Sequence, residues 1–474
     1  MNDTSITLLS RWTFPTLSAL RDILKLSLPL ALGQLGTIAI GVTDTIMLGR
    51  LGTDALGAAG LASSVYSVLL ILGMGMLFPT MVLISQARGA GRLRAAPIII
   101  HQGLWIAGIL SIPAWAILWN LESLLLLTGQ LPELARMTGR YMDWLMWAMF
   151  PAVTTLAFTF AFAAMGRAKI TAIVIWLAAL LNALLDYVLI FGKLGFPAMG
   201  MAGAGLASVI VYSTVHMTFF GILAFHRSFR YGIAFHRSWK PKWTILGQFF
   251  RLGWPKGLEF LMIAGLFSVT SLLAGRFGIQ AIASHAIAFQ IAVVVASVIS
   301  TAVARAMTSH IGVFSAGRDT IGMWRILNSG LLVFLLFVLP AAFFLTLLPT
   351  WAVALFVGFG PPTQALLPIA APLITLVAFF MLADGLHLIA GHALNGLADM
   401  KIPALIAGLA HWGIGLPTGI VLGFAMEMGV LGLWWGLTLG MVMAAIAYFV
   451  RFRRLVRRLE VEIPGRENSR VRHV

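Results

Sequence analysis

The sequence predicts an all-α membrane protein with twelve transmembrane helices in two pseudo-symmetric six-helix lobes. Three observations carry this expectation. The 474-residue chain is 60% hydrophobic and 10% charged, with a mean hydropathy of +0.96, whereas soluble domains carry about 25% charge. Apolar runs recur along it at the length a helix needs to cross hydrocarbon, about 18 residues or more. The same unit also occurs twice, without a gap, at an offset of 226 residues. Pro29 falls on Pro255, Gly49-Arg50-x-Gly52 on Gly275-Arg276-x-Gly278, Ala55 on Ala281, Ala62 on Ala288, and Ala90-Gly91-Arg92 on Ala316-Gly317-Arg318.

The runs fall at roughly 23–48, 56–86, 97–118, 140–164, 170–191, 202–225, 247–274, 280–310, 325–348, 366–394, 402–424 and 428–450. The first contains Pro29 and its repeat, the seventh, contains Pro255. The second and eighth each lead into an Ala-Gly-Arg turn. The register resumes near offset 230, where Gly166 and Ala168 after the fourth run pair with Gly396 and Ala398 after the tenth. Gly200-x-x-Gly203 opening the sixth pairs with Gly429-x-x-Gly432 opening the twelfth. Backbone groups in lipid must be satisfied within the segment, so these runs are helices. The short alternating segments of a barrel are missing. The resulting domains are a first lobe at 1–225, a cytoplasmic linker at 226–246, a second lobe at 247–450 and a charged cytoplasmic tail at 451–474, expected to fray. A duplicated, very apolar chain is the layout of a secondary transporter, which opens one half against the other.

The net charge of +16 would suit nucleic acid, but its placement argues otherwise. Most of the 32 Lys and Arg lie at the termini or beside the loops after even-numbered spans; Arg50, Arg136, Arg140, Lys193 and Arg276 lie on the other side, and Arg305 inside span eight. This asymmetry places both termini in the cytoplasm. The basic residues therefore face anionic headgroups, and no nucleic-acid partner is expected. The N-terminus has no short apolar segment with a cleavage site, so no removable signal peptide is expected. With no Cys in the chain, disulfides and thiol chemistry are excluded.

Only four acidic residues lie well inside spans: Asp44, Asp186, Glu259 and Asp384. A charge at the bilayer centre costs about 2.5–3.5 kcal/mol on insertion scales, so each is a functional candidate. Counting from the span ends puts Asp44 and Asp186 at one level in the first lobe. Asn182 lies one turn from Asp186 on the same helix face. The same count puts Glu259 and Asp384 at similar depth in the second. Two like charges held close cannot both stay ionised easily, so such a pair binds and releases a proton; alternatively its oxygens coordinate Na⁺. The bland readings are helix–helix hydrogen bonding for the aspartates and pairing with Lys256 or snorkelling for Glu259. His285, Gln290, His387, His392 and His411 match no metal spacing and read as helix–helix hydrogen bonders. No metal, cofactor, nucleotide or nucleophile motif is present, so no enzyme is expected. The substrate-binding residues are not identifiable from the sequence; Met and aromatic side chains suit bulky, varied ligands.

These residues also form a pattern. Leu28-Pro29 through Val42-Thr43-Asp44-Thr45-Ile46-Met47-Leu48-Gly49-Arg50-Leu51-Gly52 resembles the first helix of the MATE (multidrug and toxic compound extrusion) transporters. Gln86-Ala87-Arg88-Gly89-Ala90-Gly91 is similar to their second loop. Asn182 to Tyr187 with Phe191-Gly192-Lys193-Leu194-Gly195-Phe196-Pro197 resembles their fifth helix. Ala383-Asp384-Gly385, Ala393-Leu394-Asn395-Gly396 and Trp412-x-Ile414-Gly415-Leu416-Pro417 resemble their tenth and eleventh. The resemblance spans about 20–450. It implies a bacterial inner-membrane antiporter, monomeric, exporting organic cations in exchange for H⁺ or Na⁺. It implies ion-coupling roles for Asp44 and Asp384, with Asn182 and Asp186 beside the first. Two positions depart from the family. Many bacterial members carry a Glu eight residues after the helix-seven Pro, where this chain has Ile263; its own acid, Glu259, stands one turn earlier. Asn395 stands where a basic residue is common. The alternative reading is a flippase for a lipid-linked precursor, whose anionic headgroup would want a cavity cation such as Arg305.

Overall fold

A computed structural model describes residues 14–225 and 239–470, with side chains through Val461. Residues 226–238 of the expected linker lie outside the described residues, as do 1–13 and 471–474. Twelve helices are long and apolar enough to cross a membrane. They are α1 (Leu17–Gly49), α2 (Thr53–Gly89), α3 (Leu93–Trp119), α4 (Pro132–Ala164), α5 (Ala168–Phe191), α6 (Met201–Phe225), α7 (Trp243–Phe277), α8 (Ile279–Ala316), α9 (Thr320–Leu347), α10 (Pro361–Gly396), α11 (Lys401–Ala425) and α12 (Gly429–Val461). Each overlaps one expected run. Short helices Leu121–Leu127 and Pro349–Val357 lie between α3 and α4 and between α9 and α10. Among the described residues there is no strand.

The last helix departs most from expectation. It continues past 450 to Arg470. Arg, Leu and Glu are strong helix formers, and the extension is held from the side. Arg451 Nε donates to Asp399 Oδ2 at 2.9 Å, and Phe452 packs edge-on against Trp324.

The helices form two compact units. One contains Leu32–Ala87 and Arg92–Leu258; the other contains the described residues up to Ala31, Arg88–Gly91, and those from Glu259 on. We call these the first-half and second-half units. The first-half unit is built on phenylalanine: Phe78 meets Phe160 edge-on at 5.3 Å, and Phe162 meets Phe219 at 5.2 Å. It includes the beginning of α7, whose glycines press against α2. A Cβ added at Gly75 would lie 2.2 Å from Gly257 Cα, so only glycine fits that crossing. The second-half unit has Trp434 at its centre, with Phe380 edge-on at 5.2 Å. There α11 and α12 cross in glycine contact. A Cβ at Gly436 would lie 2.4 Å from Gly415 O and from Gly419 Cα. Close helix approach of this kind gains van der Waals contact that lipid cannot replace.

Each half has a tryptophan bonded to a carbonyl of its proline-containing helix, although the positions are not equivalent in the repeat. Trp176 Nε1 on α5 donates to Leu32 O on α1 at 3.0 Å, and Trp412 Nε1 on α11 donates to Met262 O on α7 at 3.1 Å. Each bond falls just beyond the helix proline, Pro29 or Pro255. Among the described helices, π-helical turns occur in the second half only, at Ala296–Ser300, Gly408–Gly415 and Val421–Ala425, whereas the first half has 3-10 turns at Leu93–Ala95 and Met146–Ala148.

Helix α5 shows how sequence sets orientation. Ile173, Leu177, Leu180 and Leu184 recur every three or four residues and are exposed, as a lipid-facing stripe must be. Asn182 and Asp186 lie on the opposite side and are 1% exposed. The helix ends at Gly192, whose left-handed φ of 64° and contact with Ala198 exclude a side chain.

Candidate functional site

Helices α1 and α5 bring three polar side chains of the first-half unit together. Asn182 Nδ2 donates to Asp44 Oδ1 at 2.6 Å and to Asp186 Oδ2 at 2.7 Å. One amide nitrogen thus bridges two carboxylates, using both of its hydrogens. The α5 pair is spaced four residues apart and therefore shares a face. Asp44 is half-buried, while Asp186 is buried and its Oδ1 has no hydrogen-bond partner. Both bonds start from one nitrogen, so the two carboxyl groups are close neighbours. A site of this kind holds one proton between two acids, or offers oxygens to a cation.

Two tyrosines lie beside it, with a third behind them, and sequence reasoning missed all three. Tyr141 on α4 is within electrostatic reach of both aspartates, and Tyr212 on α6 of Asp44. Tyr66 on α2 neighbours both tyrosines, and its buried hydroxyl has no hydrogen-bond partner. A signal was present: the chain has only six Tyr against 31 Phe, so a Tyr inside a span is a polar choice. Nothing in the sequence showed that three of them converge.

The second-half unit is arranged differently. Asp384 on α10 is buried, and no side-chain hydrogen bond reaches it among the described residues. Neither a hydrogen bond nor an ion pair joins it to Glu259. Glu259 on α7 is buried and lies within electrostatic reach of Tyr448 on α12. Tyr448 stacks on His387 at 5.2 Å, and His387 meets His411 edge-on at 5.1 Å. His387 is one turn past Asp384 on α10. In the first-half unit, Lys256 holds its ammonium over the Phe78 ring at 5.6 Å. Other intramembrane histidines bond helix to helix. His285 Nδ1 accepts from the Trp434 N–H at 3.1 Å while its Nε2 donates to Ser271 Oγ at 2.8 Å, and His392 Nδ1 shares a hydrogen bond with Thr308 Oγ1 at 2.9 Å.

The MatE family model matches residues 29–188 and again 255–421. The two matches begin at Pro29 and Pro255, the prolines that define the repeat. The chain belongs to the MatE family. MatE proteins are transporters, so this chain is a multi-pass membrane transporter and not an enzyme. It is 31% identical over 438 residues to the probable multidrug resistance protein NorM of Mesorhizobium japonicum, covering 92% of this chain and 94% of the relative. It is 33% identical over 434 residues to that of Brucella suis biovar 1, covering 91% and 92%. A MATE crystal structure in the bent conformation shares the fold at a TM-score of 0.84 and 20% identity, over 94% of this chain and 99% of that one.

Proposed function

We propose that this MatE chain is a multidrug efflux antiporter of the bacterial inner membrane, with both termini cytoplasmic, acting as a monomer. It exports organic cations in exchange for H⁺ by alternating access. The observation that carries this reading is the single amide of Asn182 bridging Asp44 and Asp186. Substrate and ion compete for one charge. With a proton bound, the aspartate pair carries one negative charge less and attracts a cation less. With the proton released, the pair is charged and favours one. Exchange then follows from differential affinity in the two states. The relatives named for multidrug resistance support the substrate class.

Proton rather than Na⁺ coupling is favoured by oxygen count. A hard cation wants several oxygen ligands, and two carboxylates with one amide are a sparse set. In the second-half unit, Ile263 removes a further carboxylate, and no hydrogen bond joins Asp384 and Glu259 among the described residues, so we assign them lesser roles in coupling. The test is accumulation of ethidium in cells with and without the protein. Lower accumulation in expressing cells, restored by collapsing the pH gradient, is expected. Equal accumulation refutes the reading.

A further inference from the structure

One end of the second-half unit holds a cavity of about 380 Å³, within the size range of small-molecule sites. Its walls come from the end of α7 (Phe277), the first turns of α10 (Pro368 and Pro372), the turn between α11 and α12 (Glu427 and Met428) and the start of α12 (Val430). The frame is stiff. Two proline rings form one wall, and Phe277 packs on Phe424 at 4.5 Å. A Cβ at Gly432 would lie 2.5 Å from Gly423 N, so α11 and α12 are in backbone contact beneath it.

Glu427 is the one charged residue lining this cavity, and it is exposed. It makes no hydrogen bond or ion pair among the described residues, and Arg276, next to Phe277, does not pair with it. Its φ is 57°, a left-handed value that a non-glycine residue rarely adopts. The turn is tied by Met426 N–H to Val421 O at 3.0 Å and Met428 N–H to Leu422 O at 3.1 Å. An observed backbone outlier is a reason to ask what the residue does. The duplication sharpens that question. Met426-Glu427-Met428-Gly429 repeats Pro197-Ala198-Met199-Gly200, and Gly200 and Gly429 share a left-handed φ of 57° and 59°. The first half has Ala198 at the equivalent position, without the left-handed φ, so both the carboxylate and its backbone are particular to the second half.

We propose that this cavity is a second binding site for hydrophobic organic cations, with Glu427 supplying the charge and Phe277, Pro368, Pro372 and Met428 the apolar walls. Aromatic faces attract cations, and Met adapts to irregular ligands. The positive start of α12 is offset by the negative end of α11 in the same turn, which leaves the carboxylate charge dominant. The inference rests on the organic-cation reading above, and the cavity lies at the face taken there as extracellular.

The chain has no cysteine, so Met428→Cys provides a single thiol in the full-length protein. In proteoliposomes it is labelled with a quaternary-ammonium thiol reagent and with a neutral reagent of equal size, each rate normalised to free cysteine. The cationic reagent is expected to react about fivefold faster, the factor given by about 1 kcal/mol of attraction at 4 Å in water. Ethidium is expected to protect the thiol. Adding Glu427→Gln is expected to bring the ratio to about one and remove the protection. Equal ratios with and without Glu427→Gln, or no protection by ethidium, overturn the proposal. Should Met428→Cys not fold, Ile369→Cys places the thiol in the same cavity from α10. Labelling needs no transport, so the two readings separate. Protection without ethidium export overturns the antiport reading alone. Export without protection overturns this site alone.

Discussion

Replacing Asn182 with Leu removes the amide but keeps the side-chain volume. Both of its bonds run from one nitrogen, at 2.6 and 2.7 Å, so the two carboxylate oxygens they reach are within about 5 Å of each other. Two unit charges at that distance repel by about 3 kcal/mol at an effective dielectric of about 20. The amide offsets this with two hydrogen bonds to charged groups, each contributing about 1.5–3 kcal/mol. Without it the doubly ionised state loses both bonds, about 3 kcal/mol even at the lower figure. At 1.4 kcal/mol per factor of ten, its population falls by about two orders of magnitude. The pair then keeps a proton through the cycle and exchange stalls. The assay is ethidium export from proteoliposomes under an imposed pH gradient, with circular dichroism to show that the helices persist. Export about a hundredfold slower, with helicity intact, is expected. A wild-type rate would refute the bridging role.

Three further outcomes follow from the same geometry. Asp44→Asn keeps a hydrogen-bond acceptor for Asn182 but cannot ionise, so pH-driven export should drop to background with normal membrane insertion; a wild-type rate contradicts it. Asp384→Asn should weaken export less than Asp44→Asn, because Asp384 has no hydrogen-bonded acidic neighbour; a more severe loss at equal expression would move the main coupling site to the second-half unit. Gly436→Val should destabilise the fold by more than the about 1–3 kcal/mol usual for overpacking, since its Cβ would lie 2.4 Å from Gly415 O and Gly419 Cα on α11; an unchanged unfolding temperature would show that α11 and α12 can separate there at no cost.

The helices were legible because bilayer thickness imposes a length that composition reveals, and all twelve runs find their helix. Their ends were less so. The Arg-rich continuation of α12 reads as a solvated tail until Asp399 and Trp324 are seen beside it. The π-helical turns of α11 have no compositional mark. At the site, counting along α1 and α5 levelled Asp44 with Asp186, and the four-residue spacing put Asn182 beside them; the structure joins all three. The same counting levelled Glu259 with Asp384, and no hydrogen bond joins those two among the described residues. A turn is 5.4 Å, comparable to the uncertainty of a span end, so depth alone decides such pairings only when a third residue ties them. Tyr66, Tyr141 and Tyr212 converge from three helices, which no local pattern records.

The central claim is that a proton held between Asp44 and Asp186 drives export. Its most direct test is transport by the purified protein in proteoliposomes under separately imposed pH and Na⁺ gradients. Ethidium export driven by a pH gradient at zero Na⁺, and lost in Asp44→Asn, is the predicted result. Export driven by a Na⁺ gradient at fixed pH, with no response to a pH gradient at zero Na⁺, would contradict it.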